Sequence, residues 1–210
     1  MRDEQFGFRT FSSTEKASYK LIDGILNALN NRMAVGGIFC DLQKAFDCVN
    51  HNILLTKLKY YGITGTTHKL IKSYLKDRYQ RVILQNNSPD SRSKWGKITH
   101  GVPQGSILGP LLFLLYINDL PQITHENSKV TLYADDTSII ITSPNPSNHE
   151  NTVNKIFEDI NRWFNSNLLS LNHEKTHYMQ FRNKNSSPID LNIGHENKKI
   201  TKTSSIKFLD

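Results

Sequence analysis

Three aspartates stand where carboxylates are awkward to place. Asp41 closes the apolar run Ile38-Phe39-Cys40, and Asp135-Asp136 interrupts two β-branched stretches at 130–133 and 138–142. An unpaired charge at the end of a buried strand is costly. Carboxylates brought from neighbouring strands to one point can instead share a divalent cation. Hard ions such as Mg2+ take carboxylate oxygens and keep positions open for phosphate. Two such ions roughly 3.5–4 Å apart can activate a 3′-hydroxyl and stabilise a departing pyrophosphate. The competing reading is plainer: Asp favours turns, so an Asp pair in a hairpin is ordinary. On these residues alone, the turn reading is the more economical. His51, His100 and His173 are scattered and suggest no metal site. Cys40 and Cys48 form no zinc-type cluster and read as free thiols of a reducing, intracellular compartment.

The elements that must position the acids follow from hydrophobic periodicity. Ser12 and Glu15 have capping-box spacing. Leu21, Ile22, Ile25, Leu26, Leu29 and Met33 then recur helically, which predicts a helix over 13–34 ended by Gly36-Gly37. Residues 38–42 read as a short buried strand. Asn50 can cap a helix over 51–61, stopped by Gly62. A third helix is expected over 66–78. Residues 79–85 and 95–102 alternate like two strands joined by a polar loop of Asn, Ser, Pro and Asp. Residues 106–117 look helical after a turn rich in Gly and Pro. The two β-branched stretches make a hairpin with the acidic pair near its tip, closed by Pro144 and Pro146. Helical spacing returns over 148–169. Residues 178–181 and 191–193 read as strands, and 183–187 as a polar loop. Hairpins dominate the sheet, so an α+β domain is expected rather than a doubly wound parallel one.

The 210 residues are 37% hydrophobic, enough for a real core in one or two domains. The formal net charge of +7 suits a polyanionic partner, although a basic solvated surface has the same composition. Basic and aromatic residues interleave at Lys57-Leu58-Lys59-Tyr60-Tyr61 and across 72–81. They could follow a nucleic-acid backbone or simply face solvent. No apolar run approaches the ~18 residues of a membrane span, and no membrane partner is expected. The longest run, 107–117, is broken by Gly109 and Pro110, and the N-terminus has no signal-peptide core.

Several blocks occur in a telling order. Gln5-Phe6-Gly7-Phe8-Arg9 with Ser13-Thr14 comes first, then Phe39-Cys40-Asp41-Leu42-Gln43-Lys44-Ala45-Phe46-Asp47. Gly101-Val102-Pro103-Gln104-Gly105-Ser106-Ile107-Leu108-Gly109-Pro110 follows, then Tyr133-Ala134-Asp135-Asp136. Leu171-Asn172-His173-Glu174-Lys175-Thr176 and Lys207-Phe208-Leu209 complete the series. Together they resemble the reverse transcriptases of non-LTR, LINE-type retrotransposons, nearest to the jockey-like elements.

The resemblance implies a polymerase palm, an antiparallel sheet with flanking helices, plus part of the fingers and no thumb. Residues 1–35 would connect fingers to palm. Residues 36–210 would be palm with a fingers-side insertion at about 50–100. The implied activity is RNA-directed DNA polymerisation with two Mg2+ ions (or Mn2+), on an RNA template and DNA primer with dNTPs; the oligomeric state stays open. Asp41, Asp135 and Asp136 match the metal ligands. Phe46 matches the residue that walls the sugar pocket against a ribose 2′-hydroxyl. Leu42, Lys44 and Ala45 lie where the incoming nucleotide is held, the last two through backbone N–H groups. Gln104 matches a nucleotide- and template-contacting glutamine, and Lys175 a candidate general acid for pyrophosphate. Arg9 and Gly105 are candidates for nucleic-acid contact, and Asp47 is expected to make a structural hydrogen bond or a helix cap. The sequence also departs from the family. It has no arginine-proline-isoleucine block before Gln5, and Asp210 stands where the fifth motif has Gly. The resemblance therefore leads to the expectation of a chain truncated at both ends. An inactive relic that only binds nucleic acid is the alternative.

Overall fold

The computed structural model describes residues 1–84, 92–123, 126–183, 191–196 and 198–209. The polar loop expected around 86–90, most of the one at 183–187, and Asp210 lie outside them. In chain order the elements are α1 (Thr14–Asn30), β1 (Ala34–Cys40), α2 (His51–Tyr60), α3 (Gly65–Leu75), β2 (Tyr79–Gln80), β3 (Gly96–Lys97) and α4 (Leu108–Ile117). Then come β4 (Ser128–Tyr133), β5 (Asp136–Ser143), α5 (His149–Ser166), β6 (His177–Phe181), β7 (Gly194–His195), β8 (Lys198–Lys199) and β9 (Thr201–Thr203). Short 3-10 turns at Leu120–Ile123 and Pro146–Asn148 lead into β4 and α5. Among the described residues no helix is long and apolar enough to cross a membrane.

The chain divides into two compact units, one of Met1–Ala45 with Ile117–Asp210, the other of Phe46–Tyr116. The first is built on a five-stranded sheet ordered β4-β5-β1-β6-β9. All neighbours are antiparallel except β6 and β9. Helix α1 starts at the Ser13 hydroxyl, which accepts from the Lys16 N–H. Its Leu21, Ile25 and Ala28 pack on Val35, Phe39 and Ile140, flanked by Met179 and Phe181. Side chains alternate along a strand, so Ile38 and Tyr178 point the other way. There α5 covers β1 and β5. Val153, Phe157, Ile160 and Phe164 of α5 are all buried. A fully buried side chain of this size contributes about 1.5–3 kcal/mol. This is an α+β palm: a mainly antiparallel sheet between helices.

The first strand corrects the sequence reading. Gly36-Gly37, expected to end the helix, lies inside β1, and the strand begins at Ala34. The reason is steric. A Cβ at Gly36 would overlap the Tyr178 ring and hydroxyl, and one at Gly37 would sit 2.9 Å from the Phe39 ring and 3.0 Å from Phe181. These glycines make room for aromatic rings on both faces of the central strand. The expected strand at 191–193 is also absent; pairing there is confined to β7 with β8.

The second unit pairs α2 with α3, with α4 following. Asn50 caps α2 as expected, accepting from the N–H groups of Asn52 and Ile53. The two strands expected over 79–85 and 95–102 shrink to a two-residue ladder, β2 with β3. Beyond it, among the described residues, lies an isolated bridge from Ile83 to Arg92; Tyr79, Val82, Ile83, Leu84 and Trp95 are exposed, so no continuous buried face fixes a longer register.

Candidate active site

Local chemistry fixes the acidic hairpin. The β4–β5 register ends at Tyr133 opposite Asp136, which leaves Ala134 and Asp135 as the two connecting residues. Ala134 has φ +54. Two-residue hairpin loops need a positive φ at their first position because that twist matches the strands. In the neighbouring pair, Cys40 of β1 stands opposite Thr137 of β5. One residue further, Asp41 and Asp136 leave the ends of adjacent central strands together. By alternation both belong to the face of Phe39 and Ser138.

The fourth block holds Asp41 from behind. The Asp41 N–H donates to the Thr176 hydroxyl at 3.3 Å, and the Asn172 N–H donates to the Asp41 carbonyl at 2.9 Å. Gln43 N–H reaches the Ser170 carbonyl at 2.9 Å. Thr176 itself is fully buried. Lys175 is carried on the same turn, its N–H bonded to the Asn172 carbonyl at 3.2 Å, with its side chain exposed.

Asp41, Asp136 and Lys175 line one cavity of about 280 Å3, with Phe39, Ser138, His177 and the segment Ile206 to Leu209 among its other walls. Asp41 is half-buried and Asp136 exposed. Asp135, half-buried in the turn, is not part of the lining. The three acids therefore meet only in part. Among the described residues no three His, Cys, Asp or Glu side chains close on one point as a metal cage. Thr137 Oγ1 and His177 Nδ1, on two of the lining residues, are buried without a hydrogen-bond partner. Such groups are rare in native interiors. Behind the acids, burial pushes the Cys40 thiol up to about 12, so it stays protonated and unreactive.

Within the second unit the structure brings Phe46 and Gln104 to the same strip of backbone. The Phe46 ring stacks on the buried Phe113, centroids 4.5 Å apart and 24° between planes. The Val102 N–H donates to the Phe46 carbonyl at 2.9 Å. Gln104 Nε2 donates to the Asp47 carboxylate at 2.9 Å, the structural hydrogen bond expected of Asp47. Gly101 has φ +85, and a Cβ there would lie 2.8 Å from the Asp47 carbonyl oxygen. Gly105, at φ +76, stands in open space. Leu42 is buried on a bridge to Leu171, Lys44 is exposed with φ +48, and Ala45 is buried.

Arg9, a candidate for nucleic-acid contact, donates from Nη1 to the carbonyls of Arg2 at 2.6 Å and Gln5 at 3.0 Å. It ties its own loop together. Several cations of the basic-aromatic stretch are likewise engaged. Arg78 lies over Tyr74, Arg81 over Trp95, and Lys76 pairs with Asp77 at 3.6 Å; Lys97, outside the stretch, bonds Asp77 at 3.1 Å and lowers its pKa. Sequence reasoning passed over Thr176 and Phe113. Their buried supporting roles have no motif of their own, although Thr176 closes the quoted fourth block.

Residues 1–209 match the reverse transcriptase (RNA-dependent DNA polymerase) family, whose palm this sheet with its strand-end carboxylates resembles; the chain belongs to it. Its relatives include RNA-directed DNA polymerases from mobile elements and transposons of Drosophila. It is 31% identical over 219 residues to the probable RNA-directed DNA polymerase from transposon BS of Drosophila melanogaster, covering 99% of this chain and 23% of that protein. It is 29% identical over 189 residues to the RNA-directed DNA polymerase from mobile element jockey of the same fly, covering 87% and 20%. The chain thus spans about a fifth of the length of the curated relatives it matches. Among solved structures it resembles apo telomerase from Candida tropicalis truncated from its C-terminal domain. The TM-score is 0.60 at 18% identity, over 87% of this chain and 37% of that one, a likeness of fold. Reverse transcriptases use divalent metal ions. The donor set here fits one: oxygen ligands only, on adjacent strand ends that open into one cavity.

Proposed function

We propose that this chain supplies the catalytic palm of an RNA-directed DNA polymerase of a non-LTR retrotransposon, extending a DNA primer on an RNA template with dNTPs. The register that sends Asp41 and Asp136 off neighbouring strand ends into one cavity with Lys175 carries the reading. Asp41, Asp136 and the adjacent Asp135 are the residues to hold two Mg2+ ions, which when bound make the primer 3′-hydroxyl a better nucleophile and neutralise the triphosphate. The chain's own groups do the rest. Lys175, exposed at the cavity, offers a proton to the departing pyrophosphate. Leu42, Lys44 and Ala45, in the turn after Asp41, present backbone to the nucleotide, and N–H groups there suit its anionic oxygens. Phe46, its ring fixed by Phe113, excludes a ribose 2′-hydroxyl. Gln104 and Gly105 are assigned to template and nucleotide contact. Arg9 serves the palm loop first.

Oligo-primed RNA with dNTPs and Mg2+ tests the proposal. Incorporation is expected, and it should vanish in the double variant Asp135→Ala, Asp136→Ala. Incorporation that survives the double variant removes the assigned roles. Salt-sensitive RNA binding without incorporation would identify a binding module instead.

A further inference from the structure

The first motif block has a duty that none of the polymerase assignments covers. Residues 4–6 lie alongside β4 as an added parallel edge. The Leu132 N–H donates to the Glu4 carbonyl and the Phe6 N–H to the Leu132 carbonyl, both at 2.8 Å. This brings Gln5, only 2% exposed, beneath the acidic turn. Its side-chain oxygen accepts from the Ala134 N–H at 3.1 Å and from the Gly7 N–H at 2.8 Å. Its amide nitrogen donates to the Ala134 carbonyl at 3.4 Å. One side chain thus grips both polar backbone groups of the residue at φ +54, immediately before Asp135. Gly7 completes the clamp. A Cβ on Gly7 would fall on the Ala134 nitrogen and 3.0 Å from its Cα. Arg9 then locks the loop through the Gln5 carbonyl.

We infer that Gln5 is a positioning residue for the acidic turn: with Gly7 it fixes the Ala134 backbone, and so the placement of Asp135 and Asp136. The inference rests on the polymerase reading for its link to metal. A non-glycine residue in the left-handed region persists only where its surroundings over-determine it. Here the surroundings are a buried amide with its hydrogen bonds spent on the turn. Partners one step behind metal ligands tune affinity and activity by about 10–100-fold. Gln5 touches no reacting atom, and its effect passes entirely through the hairpin.

The test compares the chain with Gln5→Met, which keeps the length and removes the hydrogen bonds. Gly7→Ala is the second variant, should Gln5→Met fold poorly. Amide hydrogen exchange at Ala134 reads the clamp directly, and Mn2+ titration reads the acids without requiring turnover. Both variants are expected to speed Ala134 exchange more than exchange at Ile139 in mid-strand. Both should weaken Mn2+ binding about tenfold or more, with RNA affinity unchanged. Ala134 exchange that matches wild type, or that rises only in step with Ile139, overturns the inference and leaves Gln5 as fold glue. Faster Ala134 exchange with unchanged Mn2+ affinity also overturns it. If the wild-type chain binds no Mn2+, the polymerase reading is what fails, and the exchange comparison still decides whether Gln5 holds the turn.

Discussion

The Thr176 hydroxyl accepts the backbone N–H of Asp41 at 3.3 Å, so the fourth motif holds the first. Thr176 is completely buried, and no water can replace its oxygen cheaply. Thr176→Val keeps the shape and orphans that N–H. Loss of about 1–3 kcal/mol is expected, toward the lower end for so long a bond. Thr176→Ser should retain most of it. Thermal melts of the two variants check the difference, and equal melting points would remove Thr176 from the support of Asp41.

Phe46 should govern sugar choice. Its ring is held against Phe113. Phe46→Val opens the space while keeping an apolar wall. The variant should still use dNTPs, with discrimination against rNTPs reduced about tenfold or more. It should also lose the stacking contribution of about 0.5–1.5 kcal/mol. Single-nucleotide incorporation with matched dNTP and rNTP reads the ratio, and an unchanged ratio makes Phe46 a core aromatic only.

Two glycines of the second block should respond unequally to alanine. At Gly101 an added Cβ meets the Asp47 carbonyl at 2.8 Å and the φ is +85. At Gly105 the φ is +76 but the space is open. Gly105→Ala therefore carries only backbone strain, about 1–2 kcal/mol. Gly101→Ala adds a backbone clash and should be clearly worse. Denaturant unfolding of both variants measures the order, and equal losses would contradict it.

His149 supplies a pH dependence. It is fully buried, bonded to the Ser143 hydroxyl at 2.9 Å and the Tyr178 hydroxyl at 3.2 Å, and burial lowers its pKa. The folded state therefore prefers the neutral ring. Its contribution is complete above the ordinary imidazole value of about 6.5 and is lost as pH falls from there toward the depressed folded value. His173, lowered first by burial and then by Lys198, adds in the same direction. Stability should decline on acidification below that range, and His149→Gln should flatten the decline while costing stability at neutral pH. A pH series of melts that is equally steep in the variant would rule His149 out as the cause.

Much of this was legible in the residues, for identifiable reasons. The hairpin flanking Ala134-Asp135 showed as β-branched runs around a turn, because both strands are largely buried and so are built from residues of that kind. Asn50 announced its helix through its amide cap, whereas the cap of α1 is Ser13, one residue after the Ser12 whose spacing to Glu15 suggested a capping box. Gly36-Gly37 misled because glycine most often breaks an element, while here it clears space for Tyr178, Phe39 and Phe181, rings distant or hidden in a local reading. The parallel pairing of β9 with β6 had no local signature either. At the site, three acids were read as converging. The register delivers Asp41 and Asp136 to one cavity and leaves Asp135 in the turn, a distinction that sequence spacing does not carry. Gln5 was visible only as part of a motif, since its partner Ala134 lies 129 residues away.

The polymerase proposal stands or falls with Asp41 as a cation-holding carboxylate rather than a turn acid. Asp41→Asn keeps the shape and removes the charge. Primer extension on an RNA template, run beside an RNA-binding measurement, decides the matter. Incorporation should fall by about a hundredfold or more while RNA affinity stays within about twofold of wild type, because the phosphate contacts that dominate such binding are untouched. Incorporation that stays within about tenfold of wild type, a loss of only ~1.4 kcal/mol, would make Asp41 a turn acid.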